Sequence, residues 1–123
     1  MEWLLLALMM KHAVADLFVQ SFRPPGNKGV LISKSNLLHS GDHSIGTFVV
    51  IALFGYSFQV ALLMAIVDLA LHYIIDMSKT KFIRKMEWSR DGKLFWRLQA
   101  LDQMFHYATY GLIVFLLDNF PLL

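Results

Sequence analysis

Asp68–Lys79 reads DLALHYIIDMSK. Asp68, His72 and Asp76 stand four apart, so on a helix they share one face. The residues between them are Leu, Ala, Tyr and Ile, and the stretch closes an apolar run that begins at Phe58. Three polar groups on one side of such a helix are costly in lipid. The cost is offset if that face points into a bundle, toward matching groups on other helices.

The rest of the chain supplies those helices. Apolar residues make up 57% of the 123 residues and the mean hydropathy is +0.53, high for a soluble domain with one core. The alternative at this composition is a very apolar soluble helical bundle. Apolar stretches fall at roughly 3–22, 36–54, 58–78 and 94–117, each long enough to cross about 30 Å of hydrocarbon. RPPGNKG (Arg23 to Gly29) and GYS (Gly55 to Ser57) break the chain between them. The expected fold is all-α: a polytopic membrane protein, a four-transmembrane-helix up-down bundle forming one domain over residues 1–123.

Ten of the eleven Lys and Arg residues lie in or beside two segments, 23–35 and 79–93, with Arg97 opening the last span. The positive-inside rule puts both loops in the cytoplasm and both termini outside. The first apolar run, from Trp3 to Met10, lacks a basic flank and a small-residue cleavage site, so it does not read as a removed signal peptide. Cysteine is absent, which excludes disulfides, thiolate metal sites and a cysteine nucleophile. Nothing in the pattern points to nucleic acid; the partner expected is membrane lipid, and a homo-oligomer is left open.

All five histidines lie in the spans, each with a partner four residues away. His12 pairs with Asp16, His39 with His43, His72 with Asp68 and Asp76, and His106 with Asp102. In the alternating topology most of these groups fall roughly 5–18 Å below the cytoplasmic boundary. A single intramembrane His or Asp is often just a helix–helix hydrogen bond. Five imidazoles and four carboxylates in one layer exceed what packing needs. A divalent cation offsets their burial, because neutral imidazoles and carboxylates are its ligands.

The metal ligand candidates are His12, Asp16, His39, His43, Asp68, His72, Asp76, Asp102 and His106. Nitrogen and oxygen donors suit Zn first, with Mn or Fe as alternatives. Nine candidates exceed one zinc shell, so one or two ions are expected, with some carboxylates orienting ligand histidines. Asp42 falls on another face of its helix, and Lys11 is the one basic residue deep in a span, free to snorkel, to pair with a carboxylate or to hold a substrate phosphate.

KHAVADLFVQ (Lys11 to Gln20), LLHSGDHS (Leu37 to Ser44), LHYIIDMSK (Leu71 to Lys79) and LDQMFHY (Leu101 to Tyr107) resemble, in this order, the four blocks of the domain of unknown function 3307 family. That family comprises small bacterial and phage membrane proteins. The resemblance implies the bacterial inner membrane and carries no activity with it. A fainter likeness is to membrane-bound metal-dependent hydrolases, through His39-Ser40 and His43-Ser44; the spacing here is shorter, so it implies metal binding rather than hydrolysis.

Three functions compete. One is a metal-dependent hydrolase acting on a lipid or lipid-linked phosphate or ester at the cytoplasmic leaflet. In it Asp76 or Asp16 is the catalytic base, and Arg23, Lys79 and Arg97 hold the substrate head group. The others are a non-enzymatic, metal-stapled membrane regulator, such as a phage factor, and an ion or proton pathway. The sequence leaves open whether the protein is an enzyme at all. FVVIALF (Phe48 to Phe54) and GLIVFLL (Gly111 to Leu117) fill the outer half with apolar residues, which disfavours a pathway.

Overall fold

A computed structural model describes residues 1–22, 34–86 and 92–120. Among them are four α-helices and no strand: α1 (Glu2–Ala13), α2 (Lys34–Leu53), α3 (Phe58–Lys85) and α4 (Lys93–Asn119). The expected basic segment 23–35, with Arg23, falls mostly outside the described residues, as do positions 87–91 of the other.

The first apolar stretch is not one regular helix. After Ala13 the backbone widens into a π-helical segment, Val14–Val19, and then tightens into a 3₁₀ turn, Gln20–Phe22. Such wide turns re-aim the side chains they carry and recur at functional sites. This one carries Asp16. At the other end of the molecule the GYS turn behaves as its composition predicts. Gly55 takes φ 87, the left-handed conformation that ends a helix without a Cβ penalty. Ser57 then caps α3 by accepting from the Val60 amide. Helix α3 runs on past the apolar stretch, through Lys79, Lys81 and Arg84 to Lys85. These are good helix formers, and nothing breaks the helix before Met86.

Burial divides the bundle into two layers. Near the GYS turn lies an apolar core of Leu4, Leu8, Ile51, Val60, Ala61, Met64, Ile113 and Leu117. Toward the basic ends most buried residues are polar, among them His12, His39, Ser40, His43, Thr47, Asp68, His72, Asp102 and His106, with Ala15 and Met77 beside them. Tyr110 sits at the boundary, fully buried. The outer surface is the reverse. Leu17, Phe18, Leu53, Phe58, Ile66, Trp96, Phe105 and Phe115 are all exposed.

By length and composition α3 alone, among the described residues, is apolar enough to cross a membrane, with mean hydropathy 2.0 over its most apolar stretch. The α-helical part of the first stretch is only 12 residues long. Helices α2 and α4, at 20 and 27 residues, are long enough but contain no stretch as apolar as that of α3; each carries buried polar groups along its inner face.

Candidate metal centre

The i, i+4 spacing on each helix puts its histidines on the inner face, and packing brings the five rings into one cluster. His43 stacks on His72 with centroids 3.8 Å apart, and His72 lies 4.2 Å from His106. His12 is 4.7 Å from His43 and 4.9 Å from His106, and His39 is 4.7 Å from His43.

Two carboxylates reach into this cluster. Asp16 approaches three imidazoles: His43 Nε2 at 3.0 Å, His12 Nε2 at 3.1 Å and His39 Nε2 at 3.5 Å. Asp76 shares His39, at 3.3 Å from its Nε2, and approaches two more, His72 Nε2 at 3.4 Å and His106 Nε2 at 3.6 Å. Two sets of ligand atoms converge closely enough to hold a metal ion. Asp16, His39, His43 and His72 form one; His72, Asp76 and His106 form the other. In each set the atoms lie within 4.8 Å of one another.

The orphaned atoms test whether the residues fit such an ion. His72 is buried and neither of its nitrogens has a hydrogen-bond partner. His106 Nδ1 lies 2.8 Å from the Asp102 carbonyl oxygen, which can only accept, so Nδ1 carries the proton. The lone pair is thereby left on Nε2, which is also without a hydrogen-bond partner and faces Asp76. A backbone carbonyl that fixes the tautomer of a ligand histidine is the usual support of a metal site. His12 Nδ1 shares a 2.8 Å hydrogen bond with the Tyr110 hydroxyl, which can donate or accept, and His12 belongs to neither set. Buried polar atoms left unpaired are destabilising, and a divalent ion would use these same lone pairs. The donor set fits.

The other two carboxylates have different partners. Lys11 Nζ donates to Asp68 Oδ2 at 2.7 Å and to the His43 carbonyl at 2.9 Å, and Thr47 donates to the same Asp68 oxygen. Lys79 Nζ donates to Asp102 Oδ2 at 2.8 Å. Neither aspartate belongs to a metal-competent set. Lys79, expected at a substrate head group, is thus already paired, though its side chain keeps 22% exposure. Arg97 is exposed on α4 and does not line the site; Arg23 lies outside the described residues.

The charges sort accordingly. With the histidines neutral, as metal ligands must be, Lys11 balances Asp68 and Lys79 balances Asp102, which leaves the two charges of Asp16 and Asp76. One divalent ion would neutralise them.

The layer is not sealed. A polar chamber of about 240 Å³ opens beside it, with Asp16, His39, Asp76, Lys79, Gln99 and Asp102 on its walls. Three partners escaped the sequence reading: Thr47 on Asp68, Tyr110 on His12 and Lys79 on Asp102. Thr47 was accessible, since it continues the His39–His43 face by one more turn.

An all-α chain with a buried layer of histidine and aspartate is the class that fold and site define. A family model described as a protein of unknown function (DUF3307) matches residues 4–121, and the chain belongs to that family. No curated protein and no solved structure matches it. The likeness to metal-dependent hydrolases therefore rests on its two His-Ser pairs alone and gains no support.

Proposed function

We propose that this is a membrane-embedded metalloprotein of the bacterial inner membrane. Its four helical segments cross the bilayer with both termini in the periplasm, and it hydrolyses a lipid or lipid-linked phosphate or ester at the cytoplasmic leaflet. The apolar outer surface supports the membrane reading, because a soluble bundle keeps its exposed patches of Phe, Trp and Leu small. The first segment falls short of a regular spanning helix because it widens at Val14, and α2 and α4 carry inward polar faces that neighbouring helices cover.

The observation that carries the chemistry is the opening of the chamber onto the two metal-competent sets. A purely structural site is closed by protein ligands on every side. When bound, a divalent ion would supply a Lewis acid and an acidified water. His39, His43, His72 and His106, with Asp16 and Asp76, would hold it. Zn suits these donors best, with Mn or Fe next. Asp16 and Asp76 have two oxygens each, so either can give one to an ion and keep one to accept a proton from water. Both border the chamber. Lys79 stands on the same wall, 3.9 Å from Asp76, as the cation nearest an incoming anion.

The charge balance favours a second reading. One divalent ion neutralises Asp16 and Asp76, and a neutral filled layer would serve as a staple in a non-enzymatic regulator. An ion or proton pathway has less support, since the apolar core stands between the layer and the GYS end.

The test is head-group or phosphate release from phospholipids and isoprenoid phosphates in proteoliposomes, with Zn or Mn added. Wild type should turn over, while Asp76→Asn should retain at least one ion and lose turnover. Metal bound at stoichiometry with no turnover across the panel selects the staple.

A further inference from the structure

A second cavity lies against the first. It is a groove of about 380 Å³ between α3 and α4, walled by Ile74, Ile75, Phe82, Leu98, Leu101 and Phe105. Its volume falls in the range of about 300–1,000 Å³ typical of small-ligand sites. Ile74, Leu101 and Phe105 are exposed on the outer surface, so the groove is open sideways. Lys79 and Asp102 line both cavities. Their 2.8 Å ion pair is the partition between an apolar groove and a polar chamber.

We propose that the groove is a lateral entry site for one acyl chain of an anionic phospholipid, with the phosphate at Lys79. The inference rests on the membrane reading above and names the substrate class for the same chamber. An amphiphile is the ligand whose own polarity changes where these walls change. Ile75 lies one turn from Lys79 on α3, toward the apolar core, and Phe105 lies one turn from Asp102 on α4 in the same direction. A chain running that way leaves the phosphate at the partition, with the glycerol between it and the chain and any head-group alcohol toward the basic ends. Those ends complement an anion: Lys79, Lys81, Arg84 and Lys85 on α3 and Lys93 and Arg97 on α4 stand in segments 77–86 and 92–101, which contain no acidic residue. The Lys79 ammonium has three N–H donors, so it can hold the phosphate while keeping its bond to Asp102. A second copy of the chain would find an apolar surface there but no use for the partition.

The experiment uses full-length protein in phosphatidylcholine vesicles carrying a trace of phosphatidic acid with a diazirine midway along one acyl chain. Labelled peptides are mapped after irradiation. Labelling should concentrate at 74–82 and 98–105, above that of equally exposed apolar residues such as Leu53 and Phe58. Ile75→Trp, which fills the groove, should remove the excess without changing metal content. Lys79→Met combined with Asp102→Asn, which leaves no unpaired charge, should lower it by about tenfold, the loss of one charge-assisted contact. Uniform labelling over the apolar surface would overturn the groove. Equal labelling by a diacylglycerol carrying the same diazirine would overturn the phosphate contact at Lys79, and disulfide cross-links between two copies carrying Ile74→Cys would overturn the lipid as occupant. Groove labelling without turnover would keep this site and sink the hydrolase; turnover without groove labelling would do the reverse.

Discussion

Lys11 and Asp68, 57 residues apart in sequence, form a 2.7 Å ion pair in the floor of the histidine layer, with side-chain exposures of 8% and 1%. The pair is tied to the site on both sides, through the His43 carbonyl and the Thr47 hydroxyl. Breaking it from one side strands a buried charge. Lys11→Met or Asp68→Asn alone should therefore destabilise the protein by about 3–5 kcal/mol. The double variant should lose clearly less than the two single losses together. Unfolding of the four proteins in detergent, followed by tryptophan fluorescence, measures this; additive losses would refute the coupling.

Gly46 makes room for that lysine. A Cβ built there would lie 3.1 Å from Lys11 Cδ, in a stem already pinned at its far end. Gly46→Ala should cost about 1–3 kcal/mol, the usual penalty of overpacking, despite the better helix propensity of alanine. In a Lys11→Ala background, where the stem is gone, the same change should be neutral or stabilising. A loss of equal size in both backgrounds would place the effect elsewhere.

Metal content follows from the orphaned nitrogens of His72 and His106. Protein prepared without chelators should carry one or two divalent ions by elemental analysis. His72 belongs to both ligand sets, so His72→Ala should lose the most; His106→Ala touches only one set and should lose less. Wild type without stoichiometric metal at neutral pH would contradict the site.

Acid should release the ion. Its ligands must be neutral imidazoles and carboxylates, so protons compete with it as the pH is lowered through the acid range. The melting temperature of the loaded protein should drop over this range, while that of chelator-treated protein changes less. Parallel curves for the two preparations would show that the histidines bind no metal.

Topology is testable because the chain has no cysteine of its own. Ser33→Cys and Ser89→Cys should resist a membrane-impermeant maleimide in intact cells and react in inverted vesicles. Reaction in intact cells would reverse the orientation.

The sequence by itself determined the helices, their polar faces and the shared layer of histidine and aspartate. Side chains four apart on one helix must lie on one face, and groups costly to expose to lipid must meet inside. That local rule places His39 beside His43 and His72 beside Asp76, and it reaches no further. Tertiary structure decided which carboxylates remain free for an ion. Lys11 crosses to Asp68 and Lys79 crosses to Asp102, whereas Asp16 and Asp76 stay among the imidazoles. It also decided that the first segment widens into a π-helical turn at Asp16, since that turn holds only if the surrounding helices support it. An ammonium on a four-carbon stem can reach any of several neighbours, and only the packing distances between helices select one.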